Sequence, residues 1–250
     1  MTEPDAMKLL LTSAGINNPS IHGALVDLLG KPIAECNALC IPTGIYPFSV
    51  GPAAAYRFLA GTSLSPMCGL GWKSLGVLEL TALPSIDKES WIPNVQETDA
   101  LLVFGGDPLY LSRWMRESGL ADLFDSLRLV YVGISAGSMA VTSVIGETYT
   151  GGKPPKGDGI KSEVVMIDTP DGELRVDFTV APGIGLVDFA LLPHVGHERF
   201  PENSWANSEL WASKLPVPLY ALDDQSAIKV VDGTCEVVSE GDWKLLGSKS

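Results

Sequence analysis

The chain is expected to fold as an α/β protein, with a mainly parallel sheet flanked by helices on both faces and an antiparallel extension toward its C-terminus. Short apolar, β-branched runs alternate with helically spaced segments from Met7 to Val144. Several of these runs stop in glycine-rich or small-residue turns. Beyond Val144 the alternation gives way to strand-rich, hairpin-like sequence. Strands separated by helices imply parallel pairing with both faces covered, and sites in such sheets form beyond the carboxyl ends of the strands.

Each element follows from its residues. MKLLLTSAG, from Met7, reads as a strand ending in a small-residue turn, and IHGALVDLLG, from Ile21, has helical spacing. NALCIPTG, from Asn37, is a second strand and PAAAYRFLAG, from Pro52, a second helix. GVLELTAL follows, then the strand TDALLVFGGDP, then the helical LYLSRWMRESGLADLFDSL from Leu109 to Leu127. Leu129 to Val132 has the make-up of a short buried strand, and Ser138 to Val144 reads as the opening of a helix. GETYTGGKPPKGDGIK, from Gly146, is rich in Gly, Pro and Lys and reads as a long excursion loop. A strand-rich segment then turns at Pro170-Asp171-Gly172, and the tail from Val217 has the short strands of hairpins added to an edge of the sheet. With no internal repeat and no linker, residues 1–250 are expected to form one domain.

Composition narrows the function. Hydrophobic residues make up 46% and charged residues 19%, which suits a compact globular chain. The formal charge of −13 argues against a nucleic-acid partner, because phosphate binding needs clustered Lys and Arg. No apolar run is long enough for a membrane span, and no basic-then-apolar leader opens the sequence. Cys36, Cys40, Cys68 and Cys235 show no CxxC spacing, so reduced thiols, a cytoplasmic location and no cysteine-bound metal are expected. No GxGxxG follows the first strand, and no cofactor is expected.

The chemistry gathers around Gly133-Ile134-Ser135-Ala136-Gly137. A strand that turns into a helix within three residues lifts the central hydroxyl clear of the sheet, tolerable only between small neighbours. Ser135 is thus a candidate nucleophile, and a serine needs a base. Of three histidines, His22 lies in the first helix as a core or surface residue, while His194 and His197 sit where an apolar strand runs out at Pro193. His194 directly follows that strand and is preferred as base; His197 is left to orient substrate or face solvent. Donors for the oxyanion are sought in the amide of Ala136 and in the Gly105-Gly106 turn. His194, His197 and Glu198 could mimic part of a metal site, but the neighbouring Gly and Pro argue against the helix that would align them.

The trio VFGGDPLYL, GISAGSMA and GIGLVDFALLPH, in that order, resembles the serine peptidases that include aspartyl dipeptidase (peptidase E) and cyanophycinase, whose fold is similar to class I glutamine amidotransferases. The likeness runs from the first strand to YALDDQSAIKVVDG. It implies Ser135 as nucleophile, His194 as base, and the amides of Gly106 and Ala136 as oxyanion hole. The family carboxylate lies somewhat more than a dozen residues past the serine; Glu147 is the nearest acid and the assigned third catalytic residue, with Asp158 next and Asp223 and Asp224 as further candidates. Asp107 stands where the family typically has Asn. The arginine that holds acidic substrates in aspartyl dipeptidases is missing from PENSWANSELWASK, leaving Arg199 as the one candidate nearby. Asp107, His197, Arg199 and Asp224 are therefore the expected substrate contacts.

The expected activity is hydrolysis of peptide or related amide bonds in small peptides through an acyl-enzyme, by a chain that could be a homo-oligomer. Two alternatives remain open: a non-hydrolytic binding or regulatory member of the same fold, and an α/β-hydrolase-type esterase.

Overall fold

A computed structural model describes residues 7–64, 66–150 and 154–247. In chain order the elements are β1 (Lys8–Thr12), α1 (Pro19–Leu29), β2 (Asn37–Ile41), α2 (Gly51–Leu59), β3 (Ser74–Val77), α3 (Lys88–Gln96), β4 (Ala100–Val103), α4 (Pro108–Glu117), β5 (Val130–Ile134) and α5 (Ala136–Met139). They continue with β6 (Val144–Tyr149), β7 (Lys161–Thr169), β8 (Gly172–Pro182), β9 (Ala190–Leu192), α6 (Trp205–Ser213), β10 (Leu219–Leu222), β11 (Ser226–Val231), β12 (Thr234–Ser239) and β13 (Trp243–Leu246).

The main sheet runs β12-β11-β1-β5-β4-β2-β3. Its five strands from β1 to β3 are parallel, and β11 joins the β1 edge antiparallel, followed by β12. Alternate residues of these strands enter two different cores. Leu9, Leu11, Leu101, Val103 and Tyr131 pack on one face with Trp91 and Val95 of α3 and Leu111 and Met115 of α4. Leu10, Cys40, Leu102, Val130 and Val132 pack on the other with Ile21, Leu25 and Leu28 of α1 and Phe58 of α2. Strands apolar on both faces thus acquire helices on both faces, as the alternating pattern predicts. Among the described residues no helix is long and apolar enough to cross a membrane.

Two smaller sheets carry the rest. β6, β8 and β7 form an antiparallel sheet, and β10 pairs parallel with β9 and antiparallel with β13. The β7–β8 hairpin turns through Pro170 and Asp171 with Thr169 opposite Gly172, where the sequence places its turn.

Several elements depart from the sequence reading. The expected helix from Ser138 ends at Met139, because Thr142 Oγ1 donates to Met139 O (2.8 Å) and Val144 O (2.9 Å), turning the chain into β6. Val141, Thr142 and Val144 are β-branched, and give helix little support there. The expected excursion loop therefore begins with a strand, β6, and its Gly151-Gly152-Lys153 lie outside the described residues. The long helix from Leu109 breaks at Gly119 (φ 78°) into α4 and a 3₁₀ segment, Ala121–Ser126. Helix α3, with Pro93 inside it, has no counterpart in the sequence reading.

Candidate active site

The serine turn is built by the end of β1. Thr12 O accepts from Ser135 N (3.0 Å) and from Ser138 Oγ (2.8 Å), while Thr12 Oγ1 donates to Gly133 O (2.7 Å). Two glycines let the short helix α5 settle on the sheet. A Cβ on Gly133 would lie 2.7 Å from Gly137 C, and one on Gly137 would lie 2.3 Å from Val103 O. The buried Tyr131 hydroxyl then donates to Gly137 O at 2.6 Å, tying the turn to its own strand. In this frame Ser135 takes φ 51°, ψ −117°, a conformation that side chains rarely adopt. Such strain is stored where the surroundings hold the residue from all sides, and it often accompanies function.

The adjacent loop after β4 approaches just as closely. Gly106 has φ 131°, and a Cβ there would lie 2.1 Å from Gly44 O; only glycine fits. A Cβ on Gly105 would lie 3.3 Å from Ser135 Cβ, which places this loop against the serine. The amide N–H groups of Gly106 and Ala136 have no acceptor among the described residues, and Ala136 is the first residue of α5, where no intrahelical acceptor exists. Both are free to donate.

His194 also has a positive φ, 59°. Its amide donates to Ser13 Oγ (2.8 Å), its ring stacks on Phe200 (centroids 4.6 Å apart, 14° between planes), and its Nδ1 donates to Asp224 Oδ1 at 2.6 Å. A carboxylate on Nδ1 fixes the tautomer and leaves Nε2 as the ring's acceptor. Asp224 is held in turn by Ser13 Oγ (3.3 Å) and, through its backbone carbonyl, by Asn17 Nδ2 (2.6 Å). Burial opposes its charge, but the hydrogen bond and charge of His194, together with His197 and Ser13, keep its pKa below the usual carboxylate range. Ser135 Oγ itself makes no hydrogen bond among the described residues. Such contacts are often loose before substrate arrives.

Ser135 and His194 open into one cavity of about 470 Å³, whose wall also includes Gly106, Asp107, Glu147, Arg199, Glu202 and Asn203. Glu147 is the expected third catalytic residue. It lines the cavity but makes no hydrogen bond or ion pair with the imidazole; its Oε1 accepts from the Thr148 amide (2.9 Å). The carboxylate on His194 is that of Asp224, which the sequence reading placed among substrate contacts and among the further candidates for the third acid. Its neighbour Asp223 fastens the turn instead, accepting from Gln225 N (3.0 Å), Ser226 Oγ (2.6 Å) and Asp242 N (2.6 Å).

Other candidates fall in different places. Asp107 caps α4 through Tyr110 N (2.8 Å) and accepts from the Tyr149 hydroxyl (3.1 Å). His197 lies behind His194, with Nε2 3.7 Å from Asp224 Oδ2 and Nδ1 accepting from Arg199 N (3.0 Å). Arg199 is exposed at the cavity wall, His22 is exposed on α1, and Asp158 is exposed in the segment before β7. Ser13, Asn17, Phe200 and Asn203 escaped the sequence reading. The signal for the first two was available: TSAGINN directly follows the central strand β1, and polar residues at such a strand end face the site. Among the described residues no group of three or more His, Cys, Asp or Glu could hold a metal ion.

Comparison with known proteins bears on the family and the fold. The family model described as peptidase family S51 matches residues 9–238. The solved structure of a candidate peptidase E protein from Listeria monocytogenes EGD-e is 15% identical, with a TM-score of 0.57, and the match covers 94% of this chain and 99% of that one. That of a peptidase from an acI-B1 actinobacterium is 17% identical, with a TM-score of 0.60, covering 98% and 92%. Both likenesses are of fold. No curated protein matches the sequence.

Proposed function

The chain belongs to peptidase family S51, a family of serine-type peptidases, and from that premise we propose that it hydrolyses peptide bonds in small peptides with Ser135 as nucleophile, His194 as base and Asp224 as the residue that orients the base. The observation that carries this reading is the 2.6 Å bond between His194 and Asp224, made by an imidazole that shares a cavity with the strained Ser135.

Ser135 Oγ attacks the substrate carbonyl while its proton passes to His194 Nε2. Negative charge developing on the carbonyl oxygen meets the amides of Gly106 and Ala136, both of which lack other acceptors among the described residues. His194 returns the proton to the departing amine nitrogen as the C–N bond breaks, leaving an ester on Ser135. Water then attacks that ester, giving its proton to His194, which passes it to Ser135 Oγ as the acyl C–O bond breaks and the acid product leaves. Asp224 stays ionised throughout, holding Nδ1 and steadying the transient imidazolium.

A fluorophosphonate probe tests the assignment. It is expected to modify Ser135, to fail on Ser135→Ala and to react far more slowly with His194→Ala. A dipeptide library, with Ser135→Ala as blank, then tests turnover. Absence of both labelling and turnover overturns the hydrolase reading.

A further inference from the structure

The cavity beside Ser135 is chemically lopsided. Its wall offers the carboxylates of Glu147, Glu202 and Asp107, and neither Glu147 nor Glu202 has a Lys or Arg partner among the described residues. Asp107 is already committed to Tyr110 N and Tyr149 OH. Among the described residues Arg199 is the one Lys or Arg in the wall, and it is exposed.

Asn203 points independently to a missing donor. It is only 8% exposed, its Nδ2 donates to Pro193 O (3.0 Å), and its Oδ1 is buried without a partner among the described residues. Turning the amide over does not help, because it would set oxygen against the Pro193 carbonyl. Buried acceptors are ordinarily satisfied, so this one can take an N–H donor. The rest of the wall mixes the polar Thr148, Tyr149 and Thr150 with apolar side chains that keep some exposed surface, Phe48 and Leu215. Apolar surface with acceptors beyond it matches a long basic side chain, whose stem is apolar and whose head carries only donors.

We propose that this cavity selects peptides whose acyl-donating residue is lysine or arginine, the stem lying along Phe48 and Leu215 and the cationic head meeting Glu147, Glu202 and the Asn203 side chain. This rests on the hydrolytic reading of Ser135 and names the substrate class for it. An acidic side chain in the same place would face the acidic groups of Glu147, Glu202 and Asp107. The Glu147 carboxyl is pushed up to about 8 by burial, with the charges of Asp107 and Glu202 adding to the effect, as befits an acid lacking its counter-ion.

The test compares dipeptides that begin with Lys, Arg, norleucine or Asp, each with a free or an acetylated N-terminus. Lys or Arg is expected to exceed norleucine by about tenfold or more in kcat/KM, and Asp to be the poorest. The preference should survive acetylation and shrink toward parity in Glu147→Gln and Glu202→Gln. Norleucine or Asp as the best substrate overturns the proposal. So does a Lys preference that vanishes on acetylation, since a side chain held by Glu147 and Glu202 does not depend on the α-ammonium. If no dipeptide is turned over, Ser135→Ala is titrated calorimetrically with lysinamide, norleucinamide and aspartamide, each N-acetylated. Tighter binding of the lysine derivative supports the basic cavity even if hydrolysis fails; equal or weaker binding overturns it.

Discussion

His194 Nδ1 lies 2.6 Å from Asp224 Oδ1, and the backbone on each side of this bond is fastened to the segment that follows β1. Ser13 and Asn17 thereby bring two chain-distant residues, one after β9 and one after β10, to the end of the strand that also clamps the Ser135 turn. The site is an assembly around the carboxyl end of β1.

Asp224→Asn should therefore leave the imidazole in place but with the wrong tautomer. By analogy with orienting carboxylates of other serine hydrolases, kcat is expected to fall by about 10³–10⁴-fold, with a much smaller change in KM. Steady-state kinetics on the best dipeptide, alongside the rate of fluorophosphonate labelling, measure this. A smaller loss in kcat for Asp224→Asn than for Glu147→Gln would return the orienting role to Glu147.

Much of this was legible in the sequence because local chemistry decided it. Gly133 and Gly137 have to be glycines where α5 meets the sheet, Gly106 where its loop meets Gly44, and the alternating apolar strands fix the parallel sheet. What sequence order concealed is contact between distant segments. Glu147 was the nearest acid along the chain, yet residues 144–149 extend into β6 and carry it into the cavity wall. Asp224 stands far along the chain but reaches His194 because β9 and β10 lie side by side, with Leu192 opposite Ala221. A partner chosen by parallel pairing cannot be read from spacing.

The buried Tyr131 hydroxyl offers a separate check on the turn. Tyr131→Phe leaves the ring in the core and deprives Gly137 O of its 2.6 Å partner. The expected loss is about 1–3 kcal/mol, seen as a lower urea midpoint with an unchanged slope. An unaltered midpoint would mean that the bond adds nothing to the stability of the turn.

Gly106→Ala probes the proposed oxyanion loop more severely. The new methyl would collide with Gly44 O, and the backbone would have to hold φ 131° with a side chain attached. The loop must move, at a cost of order 1–3 kcal/mol. Labelling of Ser135 should fall by more than thermal unfolding does, because the Gly106 amide leaves its position before the core is disturbed. Equal wild-type and variant labelling rates would remove Gly106 from the oxyanion site.

Glu147 makes stability depend on pH in an unusual direction. Its folded-state value, about 8, stands above the ordinary 4.5, with burial the main cause and Asp107 and Glu202 adding to it. Between those values the folded protein holds a proton that the unfolded chain has released, so unfolding free energy falls as pH rises, by at most about 1.4 kcal/mol per pH unit. Glu202, whose pKa is also raised by burial, acts in the same sense. Asp224, whose pKa is lowered, contributes stability that is lost only as pH falls through the acid range, outside this window. The melting temperature of the wild type should consequently decline more steeply from pH 5 to pH 8 than that of Glu147→Gln, and the difference between the two curves isolates the one carboxyl. N-acetyl-lysinamide, by supplying the missing cation, should flatten the wild-type curve toward that of the variant. Parallel curves without ligand would show that Glu147 is ionised in the empty cavity.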